Sequence, residues 1–374
     1  MIMPKRVLVQ GTGLIGTSVA LALRDKGTEV WLSDADPATA RLAADLGAGT
    51  VIADLRDAKG IADIALLAMP PAVVGRQLAH AQDCAVADVY TDVASVKVLP
   101  ARHARELGCD LESYVPAHPL AGRERHGPAA AQADLFLGRT WALCPLPETA
   151  PDAVDAVTAL AVACGADPVV TDPETHDRWV ALVSHAPHLV AVAMAARLAP
   201  SSVPADALKL AGQGLRDVTR IAAGDSSLWT QILAANAGPV AEVVAAVAED
   251  LAAVARLLGG LPAGTTAAVL PTTGTPTTGV TSLLDRGREG AGRIPGKHGG
   301  KPRNFTVVQV VLADRPGELA RLFNAAGAAG VNIEDIRLEH SPGLPVGVAE
   351  LSVRPDQAGR LLDAMEAGGW PVRR

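Results

Sequence analysis

Aromatic side chains are scarce in this 374-residue chain: three Phe, two Tyr and five Trp make up 3% of it. Its cores therefore have to be built from small and aliphatic side chains, and abundant alanine favours closely packed helices. There are only four cysteines, Cys84, Cys109, Cys144 and Cys164, with no close pair. That excludes a disulfide scaffold and points to a reducing compartment. No basic excess exists; the formal net charge is −7, which argues against nucleic acid as the main partner. No uninterrupted membrane-length run exists either. The longest apolar stretch, VALVSHAPHLVAVAMAARLA, holds two histidines, a proline and an arginine, and predicts a buried helix rather than a membrane span. The opening MIMPKRVLVQG passes straight into a strand pattern, leaving no room for a secretory leader, so a cytoplasmic protein is expected.

What is present is length and pattern. A chain of this size exceeds the roughly 250–300 residues at which a single core stops growing, so two or three domains are expected. Arg6 to Gln10 read as a buried strand, followed at once by GTGLIG, a helix over about Leu14 to Lys26, a second strand over Glu29 to Leu32, and Asp34. Together these form a dinucleotide fingerprint. Gly11 permits the tight turn, Gly13 lets a pyrophosphate approach the backbone, and Gly16 lets helix and strand pack closely. Gly11, Thr12, Gly13, Leu14, Ile15 and Gly16 are the expected phosphate cradle, since a helix start offers free N–H groups to phosphates. Asp34 can accept both hydroxyls of an adenosine ribose and would repel a 2′-phosphate, which favours NAD over NADP. Further strands are expected at Ile61–Ala68, Ala85–Asp88, Trp141–Cys144 and Pro168–Val170, with a helix near Asp152–Cys164.

Two polar residues follow strand ends on the cofactor side. Ser95 lies in TDVASVK, and His118 in SYVPAHPLAG between two proline-bearing loops. Taken alone, His118 reads either as a packed histidine in a turn or as a proton carrier. Strand signals vanish from about Asp172, and helical stretches run to about Leu258. Here His176, His185 and His188 invite a metal reading, but Pro187 disturbs the helix and no zinc spacing is present, so no metal is expected. Arg216 and Arg220 share a helical face beside Asp217. They suit an ion-pair network or a clamp for an anionic substrate. Gly259 to Arg303, rich in Gly, Thr and Pro and locally basic through Arg286, Arg288, Arg293, Lys297, His298, Lys301 and Arg303, reads as long loops. It is either a solvated connector or a cover for an anionic ligand. Phe305 to Val372 follow a βαββαβ order without an evident catalytic set, which points to binding or association.

Motifs in this order resemble the prephenate dehydrogenase family with a C-terminal ACT domain. They are VQGTGLIGTSVALALR with Asp34, TDVASVK, HPLAGRERHG, HDRWVALVSHAPH, GLRDVTRIAAGDSSLW and DRPGELARLF. The resemblance covers nearly the whole chain. It implies an α/β fold of three parts: a Rossmann-like NAD-binding domain (1–171), an all-helical substrate and dimerisation domain with the basic loop (172–303), and a ferredoxin-like α+β ACT domain (304–374). It implies a homodimer that oxidatively decarboxylates prephenate to 4-hydroxyphenylpyruvate, or arogenate to tyrosine. Within the family pattern His118 falls on the catalytic histidine and Ser95 on the serine at the same centre. His176 falls near the substrate side chain, Arg216 on a basic residue facing the substrate, and Arg220 on the arginine gripping a carboxylate. Glu124 and Asp217 fall on acidic residues at the mouth. The ACT resemblance implies tyrosine as an effector, with Pro316, Gly317 and Asn332 near it, against a purely dimer-strengthening role. A 3-hydroxy-acid or 6-phosphogluconate dehydrogenase would place a lysine in the helical part, and none stands out near Arg216. A silent NAD-binding regulator is the alternative of another class.

Overall fold

A computed structural model describes residues 3–122, 126–200, 203–260, 279–294, 305–340 and 345–373. The described chain forms two compact units, Met1–Glu249 and Asp250–Arg374.

The first unit begins with β1 (Arg6–Gln10), α1 (Leu14–Arg24), β2 (Glu29–Ser33), α2 (Pro37–Asp45), β3 (Thr50–Val51), β4 (Ala62–Leu67), α3 (Pro71–Asp83), β5 (Ala87–Asp92), α4 (Val98–Glu106) and β6 (Tyr114–Val115). The six strands are parallel in the order β3-β2-β1-β4-β5-β6. That is the Rossmann-like arrangement, and its order reverses between β1 and β4, where such sheets bind ligands. The central strands β1 and β4 run apolar without alternation because both their faces are covered. Val7 and Val9 pack into one buried cluster with Val19 and Leu23 of α1, whereas Leu8 packs into another with Val74 and Leu78 of α3.

A second sheet, β7 (Ala117–Pro119), β8 (Thr140–Leu143) and β9 (Asp167–Val170), follows, with α5 (Pro151–Ala163) between its last two strands. Here the structure departs from expectation. His118 lies within β7, paired antiparallel with Ala142, and not in a loop. A ladder position fixes its backbone more firmly than a proline-bounded loop would.

Helices complete the unit: α6 (Pro173–Val180), α7 (Ala186–Ala196), α8 (Ala205–Leu208), α9 (Gln213–Thr219), α10 (Ser226–Ala235) and the part of α11 (Ala237–Gly259) up to Glu249. Between α6 and α7 the residues Ala181–His185 form a π-type turn, and the Ala186 N–H reaches the Ala181 carbonyl. Pro187 explains it, because a proline has no N–H for the regular helical bond. The continuous helical stretch Pro173–Ala196 is, by length and composition, apolar enough to cross a membrane, with 33% of its window buried. Burial is one-sided, which corrects the expectation of a buried helix. His176, Asp177, His185 and His188 face inward, while Trp179, Leu182, Val183 and Met194 are exposed in the single chain.

The second unit contains α12 (Val280–Gly292) and a four-stranded antiparallel sheet. Its elements are β10 (Thr306–Ala313), α13 (Glu318–Ala328), β11 (Asp335–His340), β12 (Val346–Val353), α14 (Ala358–Ala367) and β13 (Val372–Arg373), with sheet order β11-β12-β10-β13. The expected βαββαβ order is present in ferredoxin-like form. Along β12, buried residues alternate with partly exposed ones, and the buried set packs on Leu322 and Leu361 of the two helices.

Helix α12 corrects the loop reading of Gly259–Arg303. Val280, Leu283 and Leu284 recur at helical spacing. Arg286 pairs with Asp250 at 2.7 Å and Arg288 with Asp285 at 3.0 Å, so two of the basic charges are answered by carboxylates within the unit. Lys297, His298, Lys301 and Arg303 lie outside the described residues.

Candidate active site

At the carboxyl ends of β1, β2 and β4 opens a cavity of 720 Å3, lined among others by Gly11, Gly13, Asp34, Ala68 and Met69. Its glycine turn has little choice of residue. Gly11 has φ +98°, and a Cβ there would lie 2.2 Å from the Ala68 carbonyl oxygen. A Cβ on Gly16 would lie 1.9 Å from the Gly11 carbonyl oxygen, whereas one on Gly13 would meet nothing within 4 Å. Space therefore exists only at Gly13, where α1 begins and its first N–H groups are free of helical partners. These residues fit a dinucleotide: close packing at two glycines, open approach at the third. Asp34 stands at the end of β2. One of its oxygens accepts from the Thr12 N–H (2.6 Å) and hydroxyl (2.9 Å), and the other from the Asp36 N–H (2.9 Å). An ionised carboxylate offers about four lone-pair sites, so a ribose hydroxyl has one left or displaces the Thr12 hydroxyl.

A second cluster forms where β5, β7 and α6 meet. The His118 ring is partly exposed, and its Nδ1 lies 3.0 Å from His176 Nε2. His176 is buried, and its Nδ1 lies 2.8 Å from the Asp177 carboxylate. Burial first, then His176 and the nearby Lys97, hold the His118 pKa well below the ordinary histidine value, so the ring is neutral at neutral pH. Beneath it lies a charged pair. Lys97 and Asp92 are both fully buried and bonded to each other, and Lys97 Nζ also donates to the Ala117 carbonyl next to His118. Asp92 further accepts from the Tyr114 hydroxyl at 2.7 Å and the Ala94 N–H at 2.8 Å. Burial and Asp92 keep that phenol un-ionised by pushing its pKa well up. Asn236 closes the far side, donating to the Asp177 carbonyl at 2.8 Å and lying 3.1 Å from His185 Nδ1. Burial lowers the His185 pKa to about 4. His188 stacks flat on Trp229, ring centroids 3.5 Å apart.

Several expectations change here. Among the described residues Ser95, expected at the same centre, makes no hydrogen bond to the His118 ring, whose Nδ1 is taken by His176. Both nitrogens of His176 are engaged inside the protein, by His118 and by Asp177. Arg216 and Arg220 are exposed, on α9 and the turn after it. Asp217 accepts from Gln213 at 2.9 Å. Glu124 lies outside the described residues.

Two family descriptions match the chain: "Prephenate dehydrogenase, nucleotide-binding domain" over residues 19–170 and "Prephenate dehydrogenase, dimerization domain" over residues 172–260. The probable prephenate dehydrogenase NovF of Streptomyces niveus is 38% identical over 370 residues, 98% of this chain and 99% of that protein. The chain belongs to the prephenate dehydrogenase family. The prephenate dehydrogenase of Bacillus subtilis is 31% identical over 242 residues, 63% of this chain and 65% of that one. Among solved structures, the Aquifex aeolicus prephenate dehydrogenase in complex with hydroxyphenyl propionate and NAD+ has a TM-score of 0.62 and 27% identity, covering 69% of this chain and 92% of that one. A putative prephenate dehydrogenase from Corynebacterium glutamicum has a TM-score of 0.65 and 26% identity, with 78% and 89% covered.

Membership in this family of oxidoreductases accords with the dinucleotide fingerprint. It leaves Asp92, Lys97, Asp177 and Asn236, which the motifs alone did not single out. The signal for Asp177 was its place directly after His176 in THDRW. Lys97 and Asp92 stood in TDVASVK on either side of Ser95, but nothing in that spelling shows that they are buried together.

In the second unit a cavity of 470 Å3 lies at the turn before α13, lined among others by Asp314, Pro316, Gly317, Leu319 and Leu338. Gly317 has φ +85° and forms the helix N-cap, a left-handed position that suits glycine. Asn332 does not line this cavity; its side-chain amide donates to Glu334 at 3.0 Å. Glu318 is held inside by Arg315, Trp370 and Arg321, which bring its pKa down to about 2.

Proposed function

We propose that this chain catalyses the NAD-dependent oxidative decarboxylation of prephenate to 4-hydroxyphenylpyruvate. The observation that carries the reading is His118 bonded at Nδ1 to His176, with burial holding its pKa down, in a family whose substrate must lose a hydroxyl proton. NAD, when bound in the β1–β4 cleft, accepts hydride from C4 of the substrate ring. His118 takes the C4 hydroxyl proton as general base. The Ser95 hydroxyl, with no bond to His118, is available to hold the same substrate oxygen. Loss of the C1 carboxylate as carbon dioxide leaves its electrons to complete the aromatic ring. Arg220 grips a substrate carboxylate and Arg216 lies on the substrate side, with Asp217 and Glu124 at the mouth. Asp34 selects NAD, since a 2′-phosphate would meet its charge. The exposed apolar face of Pro173–Ala196 fits a homodimer, which sedimentation would show as twice the chain mass; a monomer there refutes it.

Parallel assays with prephenate and arogenate, each with NAD and NADP, test the activity. Prephenate with NAD should give the highest kcat/KM; preference for arogenate would move the product to tyrosine, and turnover of neither would sink the reading. His118→Asn should lower kcat by ~10²–10⁴-fold with NAD binding retained. Arg220→Ala should raise the prephenate KM by ~30-fold or more, the effect of losing one partner of a charge pair that the bound substrate itself desolvates. An unchanged KM would return Arg220 to a structural role.

We further propose that the second unit is an ACT regulatory domain whose turn at Pro316 and Gly317 binds tyrosine. The cavity there and the ferredoxin-like fold support this.

A further inference from the structure

We propose that Asp177 is a positioning residue that sets, through His176, which nitrogen of His118 is the base. The inference rests on the reading of His118 as base and adds a residue to it.

The argument is a count of protons along one hydrogen-bonded line. Asp177 accepts from the Lys97 N–H at Oδ1 (2.8 Å) and from the Val98 N–H at Oδ2 (2.9 Å). Backbone N–H groups only donate, and donation to both oxygens favours the ionised carboxylate. The contact from Asp177 Oδ1 to His176 Nδ1 at 2.8 Å therefore carries its proton on the histidine. A neutral His176 protonated at Nδ1 has a bare Nε2, which acts only as an acceptor. The partner of that nitrogen, at 3.0 Å, is His118 Nδ1. His118 must then be the donor, with its proton on Nδ1. Its Nε2 is left bare, able to take a proton from a substrate hydroxyl. When it does, the charge on His118 is shared along the line to Asp177, so the buried carboxylate stabilises the product of proton transfer.

Three contacts and burial hold the device rigid. The two backbone N–H groups that anchor Asp177 belong to residues two and three beyond Ser95, so one carboxylate joins the Ser95 loop to the histidine pair. Asn236 fixes the Asp177 main chain from the junction of α10 and α11. Both the His176 and Asp177 side chains are only 3% exposed, so water does not compete for these bonds.

The test is Asp177→Asn in the full-length chain, with His118→Asn alongside and 15N NMR of histidine-labelled protein. Wild type should show neutral His118 protonated at Nδ1 at neutral pH. In Asp177→Asn, the amide can turn its NH2 to His176, reversing both rings and moving the His118 proton to Nε2. Its kcat should fall by ~10²–10⁴-fold, with KM and NAD affinity held. A merely structural Asp177 would lower stability and NAD affinity while leaving the His118 proton on Nδ1, and that result overturns the proposal. So does a wild-type His118 protonated at Nε2, a measurement that stands even if the variant does not fold. An active Asp177→Asn beside an inactive His118→Asn sinks the positioning role alone. An active His118→Asn sinks the base assignment itself.

Discussion

Replacing Lys97 by methionine keeps the length and apolar stem of the side chain and removes its charge. Lys97 and Asp92 have no exposure at all, so the variant leaves a carboxylate in the interior without its counter-ion. Removing one partner of a buried pair costs about 3–5 kcal/mol. Asp92 keeps the Tyr114 hydroxyl and the Ala94 N–H as donors, which places the expected loss at the lower end, about 3 kcal/mol. For a unit of this size each kcal/mol moves Tm by roughly 2–4 °C, so the melting transition should fall by roughly 6–12 °C. Calorimetry of the full-length chain reads this directly. Adding Asp92→Asn should then recover part of the loss, because the stranded charge is gone. The same variant carries a pH signature. Lys97 is one of the groups holding the His118 pKa down, after burial and His176. Without that cation the imidazolium is less disfavoured, the His118 pKa rises, and the acid limb of kcat/KM moves to higher pH. A Lys97→Met variant that melts with wild type, or a double variant no more stable than the single one, would refute the buried-pair argument. An unmoved acid limb would refute the electrostatic link to His118.

Two other expectations concern the binding sites. Gly11→Ala forces a side chain into a left-handed position, costing about 1–3 kcal/mol, and sets its Cβ 2.2 Å from the Ala68 carbonyl oxygen. NAD titration should show affinity lost at least tenfold, the equivalent of about 1.4 kcal/mol; unchanged affinity would mean that the turn does not hold the pyrophosphate. Tyrosine should inhibit the full-length enzyme more strongly than a chain ending near Arg303, provided the shorter chain is dimeric and active. Equal inhibition constants, or no inhibition of either, would remove the effector role from the Pro316–Gly317 cavity.

The sequence by itself determined the parallel sheet, the sheet of the second unit and where the cofactor cleft falls. At the centre of the parallel sheet β1 is apolar on both faces, and the glycine turn is dictated by local sterics. Arg6–Gln10 is therefore legible from five residues, and the turn from six more. In the second unit, alternation along VGVAELSV and the turn at DRPGEL mark strand and helix starts equally well, since each signal depends on residues within a few positions. The family motifs likewise singled out His118 and Ser95. What only the tertiary structure decided is who partners whom. His118 and His176 are 58 positions apart, and Asp177 reaches back 80 positions to Lys97. No periodicity carries such information, because a hydrogen bond is chosen by where the chain returns in space. The same bonds tie the helical stretch after Asp172 to the nucleotide-binding domain. Helix α12 was hidden for the opposite reason: glycine is common on both sides of and within Val280–Gly292, and composition outweighed the spacing of Val280, Leu283 and Leu284. Burial made the last decision. Asp92 and Lys97 spell an ordinary surface pair, and enclosure beneath His118 turns them into a buried ion pair whose cation helps to hold the His118 pKa down.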